Sequence, residues 1–232
     1  MHNKGNDCII EVSSDSWTNG KDGYRLMIEI GILNQRYPCK TKDLLWYKET
    51  RQAILLMVKD KKTLDDIKML SENENLYNAA SSSRANEVRT AIARRISATD
   101  FAFLQFFAEQ NAETQKLLCI VMVMLTDRTF LEFMDLVYRE KLIASDFELY
   151  DSDVLAYLHS LQEKEEHAAR WTDKGIKKVR DNYKSILKEA GMISDSGTVR
   201  RILRPIVSQE MREFLEEEGL ELVVRIMAGE RG

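Results

Sequence analysis

Proline is nearly absent from this sequence. Pro38 and Pro205 are the two in 232 residues, so positions 39–204 are free of the strongest helix breaker. With its many Leu, Glu, Lys, Arg and Ala residues, the chain reads as mostly helical. Cysteine is equally sparse. Cys8, Cys39 and Cys119 are odd in number and widely scattered, a pattern that gives neither a disulfide framework nor a zinc site and suits a reducing cytoplasm. Long apolar runs are missing too. The most apolar stretch, LLCIVMVML at 117–125, is nine residues long, whereas a bilayer-spanning helix needs about 20. It reads as a core helix, and no membrane span is expected. The opening MHNKGNDCII lacks the apolar core and cleavage site of a signal peptide.

The usual signs of catalysis are also lacking. Neither GxxxxGK[ST] nor GxGxxG occurs, so no glycine loop cradles a phosphate. No HExxH, GxSxG elbow or Cys/His dyad is visible. His159 and His167 lie eight apart on one predicted helix, about two turns, too far to share a metal; with His2 they complete the histidines. Asp127, Glu132 and Asp135 form the densest acidic set with apolar flanks, and helix capping accounts for Asp127. These absences predict a non-enzymatic protein without cofactor or metal.

What is present is a globular composition. Hydrophobic residues make up 44% and charged residues 31%, with a net charge of −4, outside the range of disordered chains. Residues 1–22 are polar and predict an irregular lead-in, and 24–33 fits either a short helix or a strand. From residue 44 the pattern is helical, with Leu45, Ala53, Leu56 and Val58 setting an amphipathic helix that ends near Asp60. Thr63 and Asp66 carry a capping-box signature before a short helix. Ser83 is the expected cap of a helix over 84–96 whose apolar side is Ala85, Val88, Ile92 and Ile96. Asn86, Arg89, Thr90 and Arg94 then point outward. These two helices make a first helix-turn-helix candidate, with a gap longer than the usual tight turn; an ordinary helical hairpin has the same spacing. Thr99 and Asp127 are read as caps of later helices. Phe101, Phe103, Leu104, Phe106, Phe107, Leu118, Val121, Leu125, Phe130, Phe133, Met134 and Val137 on three helices over 100–143 form the expected core.

The chain is organised around residues 171–205, WTDKGIKKVRDNYKSILKEAGMISDSGTVRRILRP. Thr172 is placed to cap a helix and Asp173 to complement its positive end. Ile176, Val179, Tyr183, Ile186, Leu187 and Ala190 fall on one side, and Lys174, Lys177, Lys178, Asp181, Ser185 and Lys188 on the other. Gly191 suits the left-handed C-cap. Residues 192–194 and 199–203, joined by a turn at 195–197, read as a β-hairpin. A basic helix followed by a basic hairpin is the layout of a recognition helix and its wing. Between 170 and 204 there are ten basic residues against four acidic, a local excess opposed to the global charge and typical of a phosphate-binding surface.

The stretches SSSRANEVRTAIARRISATD, LTDRTFLEFMDLVYREKLIASDFELYDSDV, WTDKGIKKVRDNYKSILKEAGMI and RRILRPIVSQEMREFLEE resemble the BrxA family, core proteins of the bacterial BREX phage-exclusion systems. The resemblance covers about 44–218 and leaves 1–40 as an extension. It implies an all-α fold with helix-turn-helix-like units in both halves, double-stranded DNA as ligand, and action beside other BREX proteins. The family is not the methyltransferase or ATPase of its system. An older description of it as an inner-membrane protein is at odds with the apolar run length above.

The expected architecture is therefore an all-α helical bundle with two helix-turn-helix-like units, the C-terminal one winged by a short β-hairpin. Its divisions would be an N-terminal extension over 1–40, a first unit over 41–98 and a second over 99–232, with one continuous fold as the alternative. The expected phosphate contacts are Lys174, Lys177, Lys178, Lys184, Arg200, Arg201 and Arg204, with Arg84, Arg89 and Arg94 on the earlier helix. Asn86 and Thr90 are the candidates for reading bases. The partners expected are double-stranded DNA and other BREX proteins, for a cytoplasmic monomer. The rival readings are a protein-interaction adaptor in the defence complex and RNA binding by a helical domain. For the last, the sequence shows no aromatic platform for stacking bases.

Overall fold

The computed structural model describes residues 32–33, 35–194 and 199–231. The expected lead-in over 1–22, most of the 24–33 segment and the 195–197 turn lie outside them.

The described chain is all-α apart from a small sheet. Helix α1 is Tyr47–Lys59. Helix α2, Leu64–Asn73, carries the expected capping box: Thr63 Oγ1 accepts from the Asp66 amide and Asp66 returns a carboxylate to the Thr63 amide. Helix α3, Ser82–Ile96, is capped by Ser81, not Ser83, because the Ser81 hydroxyl accepts from the Arg84 amide at 3.2 Å. Helix α4, Phe101–Glu109, is capped by Asp100 in place of Thr99, whose hydroxyl instead donates back to the Ile96 carbonyl. Helix α5 is Ala112–Met124, and every residue from Leu117 to Leu125 is buried, so the apolar run is core on all sides. No described helix is long and apolar enough to cross a membrane.

Asp127 caps α6, Arg128–Phe133, which passes through a π-helical segment, Met134–Arg139, into α7, Glu140–Ile143. A two-residue strand β1, Glu148–Leu149, precedes α8, Asp151–Lys164. A 3₁₀ turn, Ala168–Arg170, leads to α9, Asp173–Glu189. Thr172 caps α9 as the sequence predicts, accepting from the Gly175 amide at 3.1 Å. Its end is a Schellman closure: Gly191 at φ 76°, with the amides of Gly191 and Met192 returning to the Lys188 and Leu187 carbonyls.

The expected hairpin forms, with Ile193 bridging Ile202 in antiparallel register. It is wider than expected. Strand β2, Arg200–Arg201, also pairs with β1 on its other side, Glu148 opposite Arg201 and Leu149 opposite Arg200. From α7 the order is helix, strand β1, helices α8 and α9, the Ile193 bridge and then strand β2. Helices α10, Gln209–Glu217, and α11, Glu221–Ala228, complete the chain.

The core gathers side chains from α1 to α11, centred on α5, Phe130, Phe133 and Tyr183. The Tyr183 ring stands edge-on to Phe130 at 5.0 Å. Two expected core aromatics differ. Phe101, in the first turn of α4, is 53% exposed. Phe106 is half-buried and stacks on Phe214 of α10 at 4.1 Å.

Candidate nucleic-acid interface

Helix α9 is gripped on both flanks. Gly175, Asn182 and Glu189, seven residues apart, line one flank, and the segment 39–47 runs along them. A Cβ at Gly175 would stand 3.4 Å from Cys39 Sγ. The buried Asn182 donates to the Lys40 carbonyl at 3.1 Å, and the Tyr47 amide donates to Glu189 at 3.2 Å. On the other flank Asp151 of α8 pairs with Arg180 at 3.2 Å and Lys184 at 2.6 Å. Ile176, Val179, Tyr183, Ile186 and Leu187 face the core.

The face left over is the one that helical phase marks as outward. Lys174, Lys177 and Lys178 are exposed, and none makes an ion pair among the described residues. Lys184, expected on the same surface, is instead held by Asp151 and Asp181. In the wing, Arg201 is exposed and Arg200 half-buried. Arg204 donates to the Leu142 and Ala228 carbonyls and so closes the ends of α7 and α11.

The arginines of α3 are occupied. Arg84 pairs with Glu87 at 3.2 Å and stacks over Trp46 at 4.1 Å. Arg89 pairs with Glu72 of α2 and binds the Asn86 side chain, across an open cleft of 450 Å³ between α2 and α3. Arg94 pairs with Asp43. Thr90 is exposed. The expected basic face is thus largely neutralised, by Glu87 of α3 itself and by Glu72 and Asp43 from other elements.

Arg95 was not singled out by helical phase, and it is fully buried. It donates to Asp43 at 2.8 Å and to the Leu45 carbonyl at 2.6 Å. Lys40, beside Asp127 at 3.7 Å and Asp43 at 4.0 Å, completes a buried ionic cluster. Burial pushes the Lys40 ammonium down and the Asp127 carboxyl up, and each partner's charge opposes that shift. This cluster ties the segment before α1 to α3 and α6, and Asn182 ties it to α9. No group of His, Cys, Asp or Glu among the described residues is arranged to hold a metal.

The BrxA family model matches residues 40–219, most of the chain. This chain belongs to the BrxA family. A curated relative, the BREX protein BrxA of Bacillus cereus strain H3081.97, is 27% identical over 191 residues, covering 82% of this chain and 94% of its own. A similar fold is seen in the crystal structure of an uncharacterized protein from Magnetospirillum magneticum. It superposes with a TM-score of 0.70 at 21% identity, over 84% of this chain and the whole of that one. The family places the chain in the BREX phage-defence systems, and the match spans α9, the wing and the ionic cluster alike.

Proposed function

We propose that this BrxA-family chain is a non-enzymatic accessory protein of a BREX phage-defence system that binds double-stranded DNA in the cytoplasm. The observation that carries the reading is the outward face of α9, where Lys174, Lys177 and Lys178 stand exposed without carboxylate partners while both flanks are fixed. A rigid helix with free cations places charge at phosphate spacing without an ordering cost at binding. The order from α7 to β2 is that of a winged helix-turn-helix, in which α8 crosses the backbone, α9 enters the major groove and the hairpin flanks it. Arg201 would extend the contacts onto the wing.

Lysines act as point charges and read bases poorly, so binding is phosphate-driven with weak sequence preference. Four cations give a slope of log K against log salt of about −3 to −4, or roughly a 100-fold loss between about 50 and 200 mM salt. Fluorescence anisotropy with a labelled duplex tests this; equal affinity at both ends contradicts it.

The adaptor reading draws on a different observation. Ile206 is 85% exposed and Leu203 41%, beside the wing. An adaptor keeps its protein partner in the presence of excess duplex, whereas a DNA-binding face releases a partner that competes for it.

A further inference from the structure

We infer that α1 carries a second phosphate-binding surface, continuous with that of α9, formed by Lys48, Arg51 and Lys59 and bordered by Lys116 of α5. The inference rests on the DNA-binding reading and extends it to residues that the sequence did not single out.

Helical phase sets the surface. Thr50, Ala53 and Ile54 are the buried residues of α1. Lys48, Arg51, Gln52 and Lys59 are exposed on the opposite side, which carries no carboxylate between Lys48 and Lys59. Lys61 and Lys62, exposed beyond the helix end, prolong it. Lys48, Lys59, Lys61 and Lys62 make no ion pair among the described residues. Arg51 spends one nitrogen on Gln115, at 3.0 Å, and the same Gln115 oxygen accepts from the Tyr47 hydroxyl. Lys116 lies over the Tyr47 ring at 5.7 Å. Asp60 is exposed beside Lys59 at the helix end, and the other neighbouring acids face elsewhere. Glu49 is half-buried toward Tyr77, whose hydroxyl it helps to keep protonated, and Glu189 is half-buried against the Tyr47 amide.

Continuity comes from that last contact. Tyr47 is the first residue of α1 and Glu189 the last of α9, so the two helices meet end to end. A backbone leaving α9 at its C-terminal end arrives at Lys48 and Arg51. The contrast with α3 decides where the N-terminal contacts fall. The α3 arginines have carboxylate partners in Glu87, Glu72 and Asp43, while the α1 cations have none, and a phosphate gains most from charges that it need not take from a carboxylate. Chemically the surface suits a long polyanion with regularly spaced charge, which a duplex supplies.

The test uses the full chain and a labelled duplex of about three helical turns, titrated by anisotropy between about 50 and 200 mM salt. A Lys48→Gln, Arg51→Gln, Lys59→Gln variant is compared with wild type, and a Lys48→Gln, Lys59→Gln variant leaves the Gln115 contact intact should the triple change perturb folding. The expected result is a slope of log K against log salt shallower by about 0.9 for each cation removed, with unchanged thermal melting. An unchanged slope in both α1 variants, alongside lost binding in an α9 variant, overturns this inference and leaves the DNA-binding reading standing. Absence of duplex binding by wild type overturns both. Wild-type duplex binding by the variants with loss of folded-RNA binding assigns the α1 surface to RNA and overturns it as well.

Discussion

Arg95 donates to Asp43 at 2.8 Å with none of its side chain open to solvent, across 52 positions of sequence. A guanidinium in that setting is held charged by its carboxylate partner while burial pulls its pKa down. Asp43 serves Arg94 and Arg95 together. Removing the cation takes from the buried carboxylate its one fully buried partner and strands the Leu44 and Leu45 carbonyls, so Arg95→Met is expected to cost about 3–5 kcal/mol. Chemical denaturation measures it; a loss below about 1 kcal/mol would mean that the cluster relaxes without Arg95.

That pairing marks the boundary of what the sequence shows. Local signals are legible: the caps Thr63, Asp127 and Thr172, the αL Gly191, and the amphipathic phase of α9 all appear where spacing places them. Charge pairing is not local. Glu72 and Asp43 reach Arg89 and Arg94 from other elements, and no helical phase reveals that an outward arginine is already occupied. Strand β1 is invisible for another reason. Two residues make no alternation, and Glu148–Leu149 is a strand only because β2 pairs with it.

The flank of α9 gives a steric prediction. Gly175 leaves a Cβ only 3.3 Å from Thr172 Oγ1 and 3.4 Å from Cys39 Sγ. Gly175→Ala gains about 1 kcal/mol of helix propensity against a few tenths of an ångström of adjustment, so its melting temperature should stay near that of wild type. Gly175→Leu has to displace the 39–41 segment and should cost about 1–3 kcal/mol. Equal stability of the leucine variant would show that this segment does not brace α9.

The same flank of α9 also depends on one buried amide. Asn182→Ala strands the Lys40 carbonyl, which accepts the Asn182 side chain at 3.1 Å. A loss of about 1–3 kcal/mol is expected, and hydrogen exchange should quicken first in α9. Uniform quickening through the fold would contradict a local role.

Lys141 controls the base of the wing. It pairs with Asp146 at 2.8 Å and Asp153 at 3.0 Å, and those carboxylates accept from the Glu148 and Tyr150 amides on either side of Leu149. The Lys141 hydrogen bond holds the Asp146 carboxyl below its ordinary value. A depressed carboxyl adds stability above its unfolded pKa and loses it as pH falls through the folded one. The contribution of Asp146 is therefore present above about pH 4 and fades in more acidic solution. In Lys141→Met the Asp146 carboxyl should titrate nearer its ordinary value by NMR. An unchanged titration would show that Lys141 does not set it.

The central claim is that duplex DNA is held by the unpartnered lysines of α9 and not by the paired arginines of α3. One titration separates them: the same labelled duplex, at about 50 mM salt, with a Lys174→Glu, Lys177→Glu, Lys178→Glu variant beside an Arg84→Gln, Arg89→Gln, Arg94→Gln variant, both checked for folding by circular dichroism. The account predicts that the folded α9 variant loses binding by 100-fold or more on the order of the three contacts removed, while the α3 variant binds within a few-fold of wild type. The reverse order, with the α9 variant binding as wild type, would contradict it.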